Sequence, residues 1–155
     1  MNRTVAVLVL LALGMPLLAA SRPAQEVRIC RSLEEAAPPP GGPILLVFFS
    51  TDCPSCYDDL FEARYVIEKG AWPVRVVGVY SGPGDELRSF LEKYAWPLPV
   101  VLDRQKILFR KFNVDCLPDK ALLAGGTTVY RDDPYKDPPR RMEDLKTCLR
   151  KMFSR

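Results

Sequence analysis

Ile44 to Ser50 reads Ile-Leu-Leu-Val-Phe-Phe-Ser, an unbroken apolar run of strand length, and this predicts a central strand buried on both faces. The period then changes. From Pro54 to Lys69 the apolar residues Cys56, Leu60, Ala63 and Ile67 recur at helical spacing; Pro54 falls in the first turn, where its missing N–H does no harm, and Gly70 ends the helix. Val74 to Tyr80, with Val74, Val76, Val77 and Val79, predicts a second buried strand, and Ser81-Gly82-Pro83-Gly84 turns into a helix from about Asp85 to Tyr94. Leu98 to Leu102 gives a third strand and Arg104 to Phe112 a short helix. Such alternation of strand and helix points to parallel crossover units.

Both flanks of this block read differently. Upstream, Val27 to Ile29 is a candidate edge strand, and Ser32 with Glu35 three residues on forms a capping box. The run Pro38-Pro39-Pro40-Gly41-Gly42-Pro43 is a turn or linker. Downstream of Pro118, Lys120 to Ala124 and Thr127 to Arg131 flank Gly125-Gly126, a two-residue hairpin signal. Arg140 to Phe153 carries Met142, Leu145, Leu149, Met152 and Phe153 on one face, which predicts a closing amphipathic helix.

Ahead of all this, Arg3 precedes an apolar run from Val5 to Leu18 and the small residues Ala19, Ala20 and Ser21, the shape of a secretory signal cleaved after Ala20 or Ser21. The alternative is an uncleaved anchor, against which stand Gly14, Pro16 and a run shorter than the ~20 residues of a spanning helix. The expected organisation is a signal peptide over 1–20, an N-terminal segment and Pro/Gly linker over 21–43, and one domain over 44–155. At 155 residues, 48% of them hydrophobic, the chain has material for one well-filled core. Its net charge of +3 falls to +2 without Arg3, too little for a nucleic-acid footprint, which needs clustered Lys and Arg.

The chain has no histidine, so Ser-His and Cys-His nucleophiles and His-liganded metal sites are excluded. Chemistry then rests on cysteine, carboxylate or lysine. Of the five cysteines, Cys53-Pro54-Ser55-Cys56 sits where a buried strand ends and a helix begins. There a cysteine faces unpaired N–H groups and the positive end of the helix dipole, both favouring thiolate over thiol. Cys53, exposed on the turn, is the candidate nucleophile, and Cys56, one turn into the helix, the candidate resolving thiol. Two other readings of the pair are a structural disulfide and a zinc knuckle; the latter would draw its remaining ligands from Cys30, Cys116 and Cys148, none of which forms a second C-x-x-C.

The run Leu46-Val47-Phe48-Phe49-Ser50-Thr51-Asp52-Cys53-Pro54-Ser55-Cys56, then Val-Asp-Cys-Leu-Pro118 leading into strand, Gly-Gly and strand, resembles the thioredoxin superfamily, and within it the exported TlpA, ResA and DsbE-like thiol-disulfide oxidoreductases. The resemblance covers about Ile44 to Phe153. It implies an α/β thioredoxin fold: a mixed central sheet flanked by helices, with an extra strand-helix insertion before the cis-proline. It implies Cys53 and Cys56 as the redox pair, Pro118 as the cis-proline against them, and Leu117 as the residue whose backbone binds an extended substrate. Expected partners are exported protein thiols or disulfides and a membrane electron donor, with no cofactor, no metal and no nucleic acid; the expected setting is the periplasm or another extracytoplasmic space.

Three departures bear on these expectations. Asp52 replaces the tryptophan common before the first cysteine, and a carboxylate there opposes a Cys53 thiolate. No buried acid or Gly-Ala-Pro-type segment matches the cytochrome c maturation members. Cys116, two residues before Pro118, is a candidate third redox thiol, or else a buried cysteine. Cys30 and Cys148 form a structural bridge worth roughly 2–4 kcal/mol or remain separate thiols. Trp72 and Trp96 either rim a binding face or pack inside. Against an oxidoreductase stand two further functions: a peroxidase of the peroxiredoxin class, whose proline and threonine pattern is not met by Phe49-Ser50-Thr51-Asp52, and a binding module with structural cysteines.

Overall fold

The computed structural model describes residues 27–154; the signal sequence expected over 1–20 lies outside the described residues. Six strands form one sheet: β1 (Ile29–Cys30), β2 (Ile44–Phe48), β3 (Arg75–Tyr80), β4 (Val100–Leu102), β5 (Asp119–Ala124) and β6 (Thr127–Arg131). Their spatial order is β1-β4-β3-β2-β5-β6, with the first four parallel and β5 running antiparallel between β2 and β6. This is the mixed sheet of the thioredoxin fold. Five helices cover it: α1 (Leu33–Ala36), α2 (Pro54–Lys69), α3 (Gly84–Lys93), α4 (Ile107–Lys111) and α5 (Pro138–Phe153). None among the described residues is long and apolar enough to cross a membrane.

Alternation along β2 explains the two-sided core. Leu45 and Val47 face α2, α3 and α5, whereas Leu46 and Phe48 face the layer of α1 and α4. A central strand buried on both faces needs apolar residues at every position, which is what its sequence supplies. Gly78, in the middle of β3, leaves the first face bare at one point: a Cβ there would lie 3.0 Å from the Phe49 ring and 3.2 Å from Val100. Phe49 fills that gap and stacks on Trp96 at 5.4 Å between centroids. Trp96, 1% exposed, is a core residue and rims no surface.

Local chemistry accounts for the ends of the elements. The Ser32 hydroxyl accepts from Glu35 N–H, while the Glu35 carboxylate returns to Arg31 N–H. The buried Asp103 carboxylate accepts from the N–H groups of Ile107, Leu108 and Phe109 and so starts α4. Gly125 and Gly126 turn the β5–β6 hairpin with φ of 57° and 80°, values that glycine adopts without a Cβ penalty.

Of the two alternatives for Cys30 and Cys148, the structure has separate thiols and no bridge. Cys30 is buried on the α1/α4 face, whereas Cys148 on α5 packs against the opposite face, and both are free thiols. The sheet lies between them, so a bond would require its disruption. Burial pushes both thiols upward from the ordinary cysteine value, Arg28 partly opposing this at Cys30 and Lys151 at Cys148.

Candidate functional site

The strand order reverses at β2: the chain leaves it through α2 to β3 on one side and returns late to β5 on the other. The carboxyl end of a strand at such a switch point opens into a crevice. Cys53 caps α2 at this end, and its sulfur accepts from Cys56 N–H at 3.2 Å. Cys53 and Cys56 are joined by a disulfide. Cys53 is half-buried and Cys56 is 1% exposed, so one sulfur faces solvent and the other the core.

Register brings the second half of the site. Phe48 pairs with Asp119, so Pro118 falls opposite the cysteine loop; the Leu117–Pro118 peptide bond is cis. Leu117 lines a cavity of about 330 Å³ with Thr51, Asp52, Tyr80 and Glu86. Cys116, the adjacent residue, is a half-buried free thiol. Asp52 is exposed and bonded by the Ser50 hydroxyl, which holds its carboxyl below the ordinary value.

Beneath the cysteines lies a network of buried charge. The Lys120 ammonium, 0% exposed, donates to both Asp59 oxygens at 2.8 and 2.6 Å and lies 2.8 Å from Asp132. Arg141 bonds Asp132 and donates from Nη2 to the Pro118 carbonyl at 2.7 Å. One guanidinium thus ties α5 to the cis-proline, and Lys120 ties the strand after that proline to the helix of Cys56. Burial would raise the Asp132 carboxyl, but its bonds to Arg141 and Lys120 outweigh burial and hold it low. For Asp119 burial prevails over its pairing with Arg131, and the carboxyl is raised. Tyr130 is raised by burial and by the nearby Asp132 charge.

Asp59 and Asp132 are thus buried acids that the sequence reading does not single out. A signal for them exists in the sequence. Asp59 falls on the apolar stripe Cys56, Leu60, Ala63, Ile67, Arg141 is adjacent to Met142 on the stripe of α5, and Lys120 alternates with Leu122 toward the α2 face. Charges on core-facing positions of three elements must meet and pair. Among the described residues no group of three or more Cys, Asp or Glu is placed to hold a metal.

Residues 24–131 match the AhpC/TSA family, about two-thirds of the chain. The chain belongs to the AhpC/TSA family. No curated protein matches it. Among solved structures, StoA from Bacillus subtilis superposes with a TM-score of 0.56 at 21% identity, over 72% of this chain and 84% of StoA. A secreted disulfide oxidoreductase of Mycobacterium tuberculosis, homologous to DsbE of E. coli, gives a TM-score of 0.53 at 19% identity, over 70% and 81% of the two chains. The exposed lipoprotein thioredoxin Etrx1 of Streptococcus pneumoniae gives 0.55 at 20%, over 69% and 85%. The resemblance to exported thioredoxin-fold proteins is thus borne out as a fold, and this AhpC/TSA member joins the fold of thiol-disulfide oxidoreductases to a bonded C-x-x-C pair.

Proposed function

We propose that the chain is a thiol-disulfide oxidoreductase that reduces disulfides of exported proteins through Cys53 and Cys56. The observation that carries this reading is the bonded pair at the carboxyl end of the central strand, one sulfur accessible and the other buried. In the dithiol form, the Cys53 thiolate attacks one sulfur of a client disulfide and displaces the other as a thiolate. The Cys56 thiolate then attacks the Cys53 sulfur, displaces the second client thiolate and closes the Cys53–Cys56 disulfide. Two electrons pass to the client, and a dithiol donor at the membrane restores the enzyme. The backbone of Leu117, before cis-Pro118, pairs with the extended client segment.

Asp52 supports the direction of transfer. Its ionised carboxylate beside Cys53 disfavours a negative charge on that sulfur, which weights the couple toward the disulfide and makes the dithiol a better donor. The apolar run after Arg3 supports export of the mature protein.

The test is a redox titration of residues 21–155 against dithiol buffers, with alkylated cysteines mapped by mass spectrometry. A reversible Cys53–Cys56 couple near about −270 mV is expected, and one near about −120 mV would refute the reductant direction. Absence of any reversible couple, together with full function in Cys53→Ser, would make the domain a binding module whose cysteines are structural.

A further inference from the structure

Beside Cys53, on the side away from Leu117, a groove of about 310 Å³ opens between α2 and α3. Its walls include the rings of Tyr57, Phe90 and Tyr94, and its rim carries Asp52 and Asp58. Both carboxylates are exposed, and neither is in an ion pair among the described residues. No lysine or arginine lines this groove. Aromatic rings attract a cation; the Tyr94 ring already has the Lys93 ammonium 5.0 Å from its centre, which leaves Tyr57 and Phe90 for a client's. On the other side of Asp52, the cavity at Leu117 holds one further acid, Glu86, and one lysine, Lys106, so the acidic character belongs to the groove and not to that cavity.

Building on the oxidoreductase reading, we propose that this groove selects client segments that carry lysine or arginine beside the disulfide cysteine. Because Cys53 is itself part of the groove wall, a residue that flanks an attacked client sulfur on the side away from Leu117 enters it. A client cation there meets two carboxylates and aromatic faces. It also offsets the effect of Asp52 on the attacking sulfur, so Cys53 is most nucleophilic once such a client is docked. The step remains the exchange described above: the Cys53–client disulfide forms, the client's own disulfide breaks, and the displaced client sulfur leaves as a thiolate.

Net charge alone points the other way. The chain from residue 21 onward carries +2, and steering by the whole molecule would favour acidic clients. The experiment uses the protein reduced by dithiothreitol and then freed of it, with three substrates: hydroxyethyl disulfide, and two cyclic disulfide peptides of one sequence whose cysteines are flanked by lysine or by glutamate. The second-order rate for the lysine peptide is expected to exceed that for the glutamate peptide about tenfold at low ionic strength. That ratio is expected to fall toward unity at high salt, and in Asp52→Asn/Asp58→Asn. Equal rates, or a faster glutamate peptide, would overturn the groove assignment while leaving the oxidoreductase reading intact. No reaction with any of the three, the neutral disulfide included, would overturn both.

Discussion

Replacing Lys120 by methionine tests whether the buried charges hold the region under the cysteines together. The side chain is 0% exposed, and its removal leaves Asp59, 7% exposed, without the two hydrogen bonds it now accepts at 2.8 and 2.6 Å. Asp132 keeps Arg141. Taking one partner from a buried ion pair costs about 3–5 kcal/mol, because the other charge remains desolvated and alone. With a urea m-value of about 2 kcal/mol/M, the unfolding midpoint of Lys120→Met should fall by roughly 1.5–2.5 M. Asp59→Leu alone should cost less, since Lys120 keeps its pairing with Asp132 at 2.8 Å. Lys120→Met/Asp59→Leu removes both charges and should regain most of the loss, giving a strongly coupled double-mutant cycle. Equilibrium urea unfolding of the four oxidised proteins, followed by far-UV circular dichroism, decides it. A Lys120→Met shift below about 0.5 M, or costs that simply add in the double variant, would refute the reasoning.

Asp132 has its folded value depressed, so its contribution is complete above the unfolded carboxyl value of about 3.9 and is lost as pH falls through the lower folded value. Asp119, raised by burial, has the opposite sign, since protonation relieves its cost; Asp132→Asn should therefore lower stability at neutral pH and flatten the loss below about pH 4, as read by thermal unfolding from pH 7 to 2.5. In Arg141→Lys the charge beside Asp132 remains but the fork that also reaches the Pro118 carbonyl is gone; KM for a disulfide client should rise more than kcat falls, with about 1–3 kcal/mol lost in urea unfolding. Alkylation of the native oxidised protein should label Cys116 and Cys148 and spare Cys30 until the chain unfolds, whereas a Cys30–Cys148 cross-linked peptide in the digest would contradict their placement on opposite faces.

The frame of the site was legible because short-range rules govern it. The apolar run over β2, the proline and glycine bounding α2, and the Gly-Gly turn each specify a local conformation, and α2 spans Pro54–Lys69 and β6 Thr127–Arg131 as the pattern predicts. Where prolines interrupt a run the reading overshoots: β4 starts at Val100, after Pro97 and Pro99. The charged network was not legible from any one element. The stripe of α2 marks Asp59 as core-facing and the alternation of β5 does the same for Lys120, but only the crossing of α2, β5 and α5 shows that they share one buried space. Likewise the separation of Cys30 from Cys148 follows from the parity of β1 in the sheet, which two-residue strands do not announce.

The bare backbone at Gly78 reaches further than its own strand. Phe49 settles into that space, Trp96 stacks on Phe49, Tyr57 lies 6.1 Å from Trp96, and Tyr94 lies 5.0 Å from Tyr57, where the rings meet the groove beside Cys53. A single methyl group added at residue 78 would press on the first ring of this series and displace the last. The width of the groove is thus gauged from the interior, at a position no client touches. A genetic screen for altered client choice should therefore return hits in the middle of β3 as well as around the cysteines.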